Sequence, residues 1–222
     1  GSDREVLYLG NTTAPLHLLR VNLESRDTTH IEITLETALD KLNIGSLEIQ
    51  VIPPHFFVLD GVSPTILRGR TKSWRATIWA KDRAYFSKAR AIDSDRIAIR
   101  SISATSGRSV LGLIEKNDSL RVTLHPDILE GKLDGIFDVD GVFALAPDQR
   151  HIGYVYFYRN QYLILNDQLR TLRKLNTIDT EQEPQLKLTT LSEKGTTEMS
   201  APPLFVNLGT ALYDQYLLVH SK

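Results

Sequence analysis

The sequence contains no cysteine in its 222 residues, and it has almost no net charge. The missing cysteine excludes disulfides, thiolate nucleophiles and cysteine-ligated zinc. Its 26 basic and 27 acidic side chains give a formal charge of −1 at pH 7. A chain this close to neutrality has no bulk electrostatic attraction for nucleic acid, so no nucleic-acid partner is expected.

Long apolar runs are also missing. None approaches the roughly 20 residues that cross a bilayer, so no transmembrane segment is predicted. The opening Gly1-Ser2 is typical of a cleaved purification tag, and membrane anchoring is expected only through a removed N-terminal signal or lipid. Hydrophobic residues make up 41% of the chain, which is enough to build a core, and a single domain over 1–222 is expected.

Helical periodicity is scarce. The pattern "LETALDKLN" predicts a short helix over 35–43 that Thr34 would cap. A second short helix is predicted around Pro126 to Leu133, ended by Gly131. Both are expected to connect sheets.

Strand patterns recur along the rest of the chain. "EVLYLG" and "HFFVLD" are each followed by a polar turn, a proline and a returning strand, "LHLLRVNL" and "TILRGRT". Further units are "RIAIRSISATSGRSVLGLIEK", "GYVYFYRNQYLILNDQLRTLRKLNTID" and "PPLFVN" to "YDQYLLVHSK". The apolar centres of the five units start near Val6, Phe56, Ile97, Tyr162 and Tyr216. Spacings of roughly 40 to 65 residues with several short strands per unit favour a β-propeller over a β-sandwich or barrel, whose strands are spaced more closely and evenly.

Two stretches carry a resemblance to a known family. They are "GIFDVDGVF…HIGYVYFYRNQYLILNDQLRTLRKLNTID" over 135–179 and "SAPPLFVN" over 200–207. They resemble the uncharacterised TolB-like six-bladed β-propeller proteins of Bacteroidetes-type bacteria. The resemblance implies an all-β six-bladed propeller, complete or incomplete, with about four to five blades in this chain. Because such proteins usually continue beyond the position matching Lys222, an open sheet edge is expected, and with it a partner, a dimer or further sequence.

The tyrosines of "YVYFYRNQ" pose a choice between packing and binding. Tyr154, Tyr156 and Tyr158 share one face of a strand, where tyrosine can fill the space between blades. The alternative is a surface that stacks carbohydrate or peptide at the loop tip. The candidate ligand-binding residues are Tyr158, Arg159, Asn160 and Trp74. Trp74 and Trp79 are expected in a connecting segment, buried against the next blade, with an exposed binding surface as the alternative.

Three aspartates are the candidates for a metal site. "DGIFDVDG" over 134–141 has the acidic spacing of a calcium loop, but Pro147 stands where an EF-hand requires glutamate, so turn formation is favoured. Asp138, Asp140 and Asp60 are the candidate ligands, with calcium as the candidate ion. No two of the six histidines have the spacing of a zinc motif, so each is expected to be a packed or surface residue. A non-local histidine cluster at the central axis of a propeller stays open as the alternative.

The function expected from these features is a non-catalytic scaffold or ligand-binding module of the bacterial envelope. It would be periplasmic or lipoprotein-like at the outer membrane, with a protein, peptide or glycan partner. The alternative is a metal-dependent propeller hydrolase or lyase with the three aspartates converging at the central axis. A third possibility is an assembly whose open edge is completed by an added strand.

Overall fold

The computed structural model describes residues 2–3, 5–36, 42–191, 196–214 and 216–222. Within these ranges the chain is all-β, with twenty-one strands, one short 3-10 turn at Ile44–Ser46 and no α-helix. The predicted all-β class is therefore confirmed. No helix in the described part of the chain is long and apolar enough to span a membrane.

The chain divides into two compact units, which are described separately. One comprises Gly1–Ser101 with Leu113–Thr123, and the other comprises Ile102–Gly112 with Leu124–Lys222. Whether the whole chain acts as the single domain expected from its length stays a prediction.

The first unit begins with two sheets. The first runs in the order β1-β2-β3-β4 and is antiparallel throughout. Its strands are β1 Ser2–Asp3, β2 Val6–Gly10, β3 His17–Asn22 and β4 Thr28–Glu32. The second has the order β5-β9-β8-β7-β6, in which the short β5 pairs parallel with β9 at the edge of an antiparallel meander. Its strands are β5 Thr34–Leu35, β6 Glu48–Ile52, β7 His55–Asp60, β8 Thr65–Arg70 and β9 Arg75–Lys81.

Two further four-stranded meanders follow, in the orders β10-β11-β12-β13 and β14-β15-β16-β17. The first contains β10 Lys88–Ala91, β11 Arg96–Ile102, β12 Ser109–Lys116 and β13 Leu120–His125. The second contains β14 Gly141–Leu145, β15 His151–Tyr156, β16 Gln161–Asn166 and β17 Thr171–Asn176. Two hairpins complete the described chain, β18 Leu188–Leu191 with β19 Thr196–Met199, and β20 Asn207–Tyr213 with β21 Tyr216–Ser221.

The four successive meanders have the strand arrangement of β-propeller blades, as the sequence predicts. The predicted strand–turn–strand units correspond to β2–β3, β7–β8, β11–β12, β15–β17 and β20–β21. Six-bladed closure of the TolB-like kind stays a prediction.

Strand β7 shows why the sequence adopts this arrangement. Its burial is almost continuous because both of its faces are covered. Phe56 and Val58 pack in a cluster with Leu18 and Ile31 of the first sheet. The alternate residues Phe57 and Leu59 pack in a second cluster that includes Ile97, Ile99 and Ile114. An uninterrupted apolar run such as "HFFVL" is what a strand covered on both faces requires.

The helix predictions are not supported where the structure describes them. Residues 37–41 of the predicted helix over 35–43 lie outside the described residues, and Thr34 and Leu35 at its start form β5. Residues 126–133 form a turn and bends, so the second helix prediction is wrong. There the backbone N–H groups of Lys132 and Leu133 donate to the Asp138 carboxylate instead of to helical carbonyls.

Candidate functional site

Asp138 is a buried organiser of the loop that leads into β14. Its carboxylate is fully buried, and Oδ1 accepts a hydrogen bond from the Gly135 N–H at 2.7 Å. Oδ2 accepts from the backbone N–H groups of Lys132 and Leu133. Three backbone N–H donors therefore satisfy this buried carboxylate. The same donors compete for the lone pairs that a calcium ion would use.

Asp60 performs the same task at the end of β7, in the first unit. Its carboxylate is also fully buried. Oδ2 accepts from the Asn43 N–H at 2.7 Å. Oδ1 accepts from the Val62 and Ser63 N–H groups, both at 3.1 Å, and from the Ser46 hydroxyl at 3.0 Å. The carboxylate therefore binds two loops to one strand end.

Asp140 lies two residues after Asp138 and is half-buried, and its Oδ1 accepts from the neighbouring Gly141 N–H at 2.9 Å. Across the described ranges, no three His, Asp or Glu side chains are grouped so that they could hold a metal ion. Asp138 and Asp140 share one turn, whereas Asp60 belongs to the other unit. Metal binding by these aspartates stays a prediction.

The tyrosine row, formed by Tyr154, Tyr156 and Tyr158, is part of the interior of the second unit. Tyr154 and Tyr156 are completely buried, and their rings meet edge to face with centroids 5.4 Å apart. The Tyr154 hydroxyl donates to the Val139 carbonyl at 2.7 Å. Tyr158 is 3% exposed and packs against Phe205 with centroids 5.2 Å apart. These contacts support the interpretation of the row as packing.

Arg159 is the largest fully buried side chain described. Its guanidinium stacks 3.7 Å from the centroid of the Tyr156 ring, and Nη2 donates to the Glu130 carbonyl at 2.8 Å. Nε and Nη1 are buried without a hydrogen-bond partner. The positive charge of the guanidinium therefore contacts the aromatic ring and one carbonyl. Burial also raises the pKa of the Tyr156 phenol, an effect that the positive charge of Arg159 opposes.

Asn160 connects the β15–β16 loop to the segment after β17. It is 5% exposed, and its side-chain amide donates to the Asp179 carbonyl at 2.6 Å. Its backbone N–H donates to Glu181, and its carbonyl accepts from the Thr177 N–H. A ligand at the loop tip would therefore meet few exposed atoms of Tyr158, Arg159 or Asn160. Ligand binding there stays a prediction.

Trp74 is half-buried and has a left-handed backbone, with φ of 54°. Its ring lies 5.0 Å from that of Phe56 and 5.7 Å from that of Tyr8, measured between centroids. It joins a core cluster instead of standing free. Trp79 is in β9 and is 4% exposed, so its expected place in a connecting segment is wrong.

Sequence reasoning missed an exposed apolar surface on the β20–β21 hairpin. Tyr213, Tyr216 and Leu218 are 67%, 62% and 63% exposed, and Ala211 lies beside them. We call these four residues the hairpin face. The register pairs Tyr213 with Tyr216 and Ala211 with Leu218. Tyr216, the expected start of an apolar centre, is exposed, whereas its neighbour Leu217 packs inward.

Comparisons with known proteins identify no family. No protein-family model matches the chain, and no curated protein matches it.

Several solved β-propellers and related structures resemble the chain distantly. The β-propeller domain of Cps50 (Swd1) from Myceliophteria thermophila is 7% identical, with a TM-score of 0.49, over 89% of this chain and 67% of that one. A putative 6-phosphogluconolactonase from Bacteroides uniformis is 13% identical, with a TM-score of 0.44, over 92% and 69%. A streptogramin B lyase is 9% identical, with a TM-score of 0.46, over 95% and 85%. These proteins have different functions, and likeness at this level does not choose among them.

Proposed function

We propose that the chain is a non-catalytic β-propeller module that binds a protein or peptide partner through the hairpin face. The observation that carries the proposal is the opposite burial of the two faces of β20–β21. Leu212 and Leu217 pack with Ala144 and Ala146, whereas the four residues of the hairpin face are exposed. In a propeller, both faces of a blade are normally covered by neighbouring structure. The hairpin face is apolar, as a covered surface would be, although it is exposed.

The chemistry of the hairpin face suits a protein partner. Two tyrosines and a leucine lie side by side without a charged neighbour between them in the register. Tyrosine is enriched at the centres of protein interfaces because it combines a large apolar ring with a hydrogen-bonding hydroxyl.

The edges of the hairpin suggest an extended partner segment. In the described part of the chain this sheet contains only β20 and β21. In the proposed complex a partner strand pairs with the backbone of one hairpin edge, and its side chains pack beside the exposed residues of that edge strand, Tyr213 on β20 or Leu218 on β21. The proposal commits to such a segment from another protein. A second copy of this chain in that place is an outcome that the experiment distinguishes.

The binding role is better supported than a metal-dependent hydrolase or lyase. The oxygens of Asp60 and Asp138 already accept three or more hydrogen bonds each, mostly from backbone N–H groups of their own loops. Such carboxylates stabilise loops, and metal binding would disrupt those bonds.

We further propose a TolB-like six-bladed propeller working in the periplasm or at the outer membrane, on the resemblance carried by 135–179 and 200–207. Fractionation of cells that make the native full-length protein tests the location. Recovery from the cytosol would refute it.

The binding role is tested with a random peptide library selected on the wild-type chain. Peptide affinity is then measured for wild type, Leu218→Glu and Tyr213→Glu, with light scattering to record self-association. We expect each substitution to weaken binding at least tenfold, about 1.4 kcal/mol. Ile178→Glu is the matched control because Ile178 is 98% exposed and belongs to the segment after β17, not to the hairpin.

Two outcomes would overturn the proposal. Selected peptides that bind the two glutamate variants as tightly as wild type would place binding elsewhere. A stable dimer that Leu218→Glu converts to monomer would assign the hairpin face to a second copy of the chain.

A further inference from the structure

The two histidines of the first sheet form a close pair. His17 lies on β3 and His30 on β4, and the Nδ1 atom of His17 is 3.1 Å from the Nε2 atom of His30. The rings are stacked, with centroids 5.1 Å apart and planes inclined by 16°. The antiparallel register sets Leu19 opposite His30 and His17 opposite Glu32, so the histidines are diagonal neighbours on one face.

The pair is open to solvent. His30 is exposed and His17 is half-exposed. Both line a cavity of about 410 Å³, whose wall includes Asn11 and Thr12 of the β2–β3 loop. The Asn11 carboxamide accepts from the Thr13 N–H and hydroxyl, which holds that loop in place. Both imidazoles therefore border a volume that can hold water or a small ligand.

We propose that His17 and His30 bind a divalent late transition-metal ion, such as Cu²⁺, Ni²⁺ or Zn²⁺. Imidazole nitrogens suit these metals. With metal–nitrogen bonds of about 2.0–2.1 Å, a separation of 3.1 Å gives an angle of about 95–102° at the metal. That angle lies between the square-planar and tetrahedral values. The antiparallel register therefore places two ligands at a suitable separation.

Within the described residues, the proposed site has two protein ligands. The described residues provide no third His, Asp or Glu in a cluster with the pair. Water, or an external ligand in the cavity, completes the shell. Glu32 carries a negative charge on the same face and favours a cation there.

The pair can bind a metal without net loss of protons. In two neutral imidazoles that share a hydrogen bond, one facing nitrogen carries hydrogen and the other accepts it. When the metal bonds to both facing nitrogens, the donor ring changes tautomer, and its proton moves through solvent to its other nitrogen. A single exposed hydrogen bond contributes little to stability, because water competes for both partners, so a metal readily replaces it.

The experiment measures Zn²⁺ binding to the full chain by titration calorimetry for wild type, His17→Gln, His30→Gln and His151→Gln. His151 is the matched control, since it is exposed, lies in the other unit and has the Asp148 carboxylate 2.8 Å from its Nδ1 atom. We expect one site in wild type and at least a tenfold loss of affinity for each of the first two variants. His151→Gln should bind like wild type. Circular dichroism without metal checks that every variant is folded.

A spectroscopic measurement distinguishes ligation from an indirect effect. One equivalent of Cu²⁺ is added, and pulsed electron paramagnetic resonance counts the coordinated imidazoles through their remote nitrogens. Two are expected in wild type and one in either single variant. No saturable Zn²⁺ binding, or equal affinity in wild type and His30→Gln, would overturn the proposal. Loss of affinity in His151→Gln would also overturn it. The inference does not depend on the partner-binding role, because the hairpin face belongs to the other unit.

Discussion

Tyrosines occupy two hairpins of the second unit with opposite burial. In β15, Tyr154 and Tyr156 are completely buried, whereas Tyr213 and Tyr216 of the β20–β21 hairpin are more than 60% exposed. Each pair shares one face of a sheet, the first along one strand and the second across a hairpin, so residue type alone does not tell which pair is buried. The buried and exposed tyrosines differ in the residues that pack against each face. The tyrosines of β15 are covered by Phe143, Arg159 and the Val139 carbonyl.

The largest expected effect follows from deleting a buried ring. We expect Tyr154→Ala to lower the free energy of unfolding by about 3–5 kcal/mol, the range for large aromatic residues in cores. Tyr213→Ala should change it by no more than about 0.5 kcal/mol, as is usual at exposed positions. Urea denaturation of both variants measures the contrast. Equal losses would mean that the hairpin face is covered in solution.

Two glycines extend the comparison, with the next-largest expected change in the free energy of unfolding. A Cβ on Gly141 would lie 2.4 Å from the Val155 carbonyl oxygen and 2.9 Å from the Tyr154 ring, whereas a Cβ on Gly209 meets nothing within 4 Å. We expect Gly141→Ala to destabilise the fold by about 1–3 kcal/mol through overpacking. Gly209→Ala should be neutral or stabilising by up to about 1 kcal/mol, because it restricts the unfolded chain. Thermal unfolding of the two variants checks the signs. A neutral Gly141→Ala would show that the β14–β15 pair is looser than described.

A single hydroxyl provides a smaller contrast. The Tyr154 hydroxyl donates to the buried Val139 carbonyl at 2.7 Å. Tyr154→Phe removes that donor and should cost about 1 kcal/mol. Tyr213→Phe should leave stability unchanged, since water already solvates the exposed side chain. Denaturation midpoints measured under identical conditions test this pair, and a loss in Tyr213→Phe would contradict it.

The sequence predicts the central strands of the four meanders because their turns and apolar patterns are local. The turn over 103–107 between β11 and β12 follows from its small residues and from Gly107, whose φ is +67°. The two-sided burial of Phe56 and Phe57 also follows from the apolar run in β7.

The candidate sites depend on contacts that local patterns do not contain. Asp138 suggested a calcium ligand, but its partners are N–H groups three to six residues earlier whose direction depends on the path of the loop. The pairing of His17 with His30 depends on the register of β4, a strand with the weakly apolar sequence "TTHIE". Period two predicts that Tyr216 and Leu217 face opposite ways, but it does not say which one is inside.

The smallest expected change in the free energy of unfolding is at Glu130, an exposed residue at the edge of the region that buries Tyr156 and Arg159. The carbonyl of Glu130 accepts from Arg159, and its carboxylate pairs with Lys174 of β17. The hydrogen bond from Lys174 lowers the pKa of Glu130 below its ordinary value of 4.5, although partial desolvation opposes the shift. A carboxylate with a lowered pKa in the folded state contributes stability above its ordinary pKa. That contribution disappears as the pH falls through the lower folded value.

Glu130→Gln should therefore destabilise the fold slightly at neutral pH and have no effect in acid below the folded pKa. Because the Glu130 side chain is 61% exposed, solvent screening limits the difference to about 1 kcal/mol or less. Unfolding free energies of wild type and variant measured from pH 7 downward give the curve, and high salt should flatten it. A difference that persists unchanged into acid would show that Glu130 acts through packing around Arg159 and Tyr156. The negative charge of the Glu130 carboxylate would then contribute nothing to the stability of the region around the buried tyrosines.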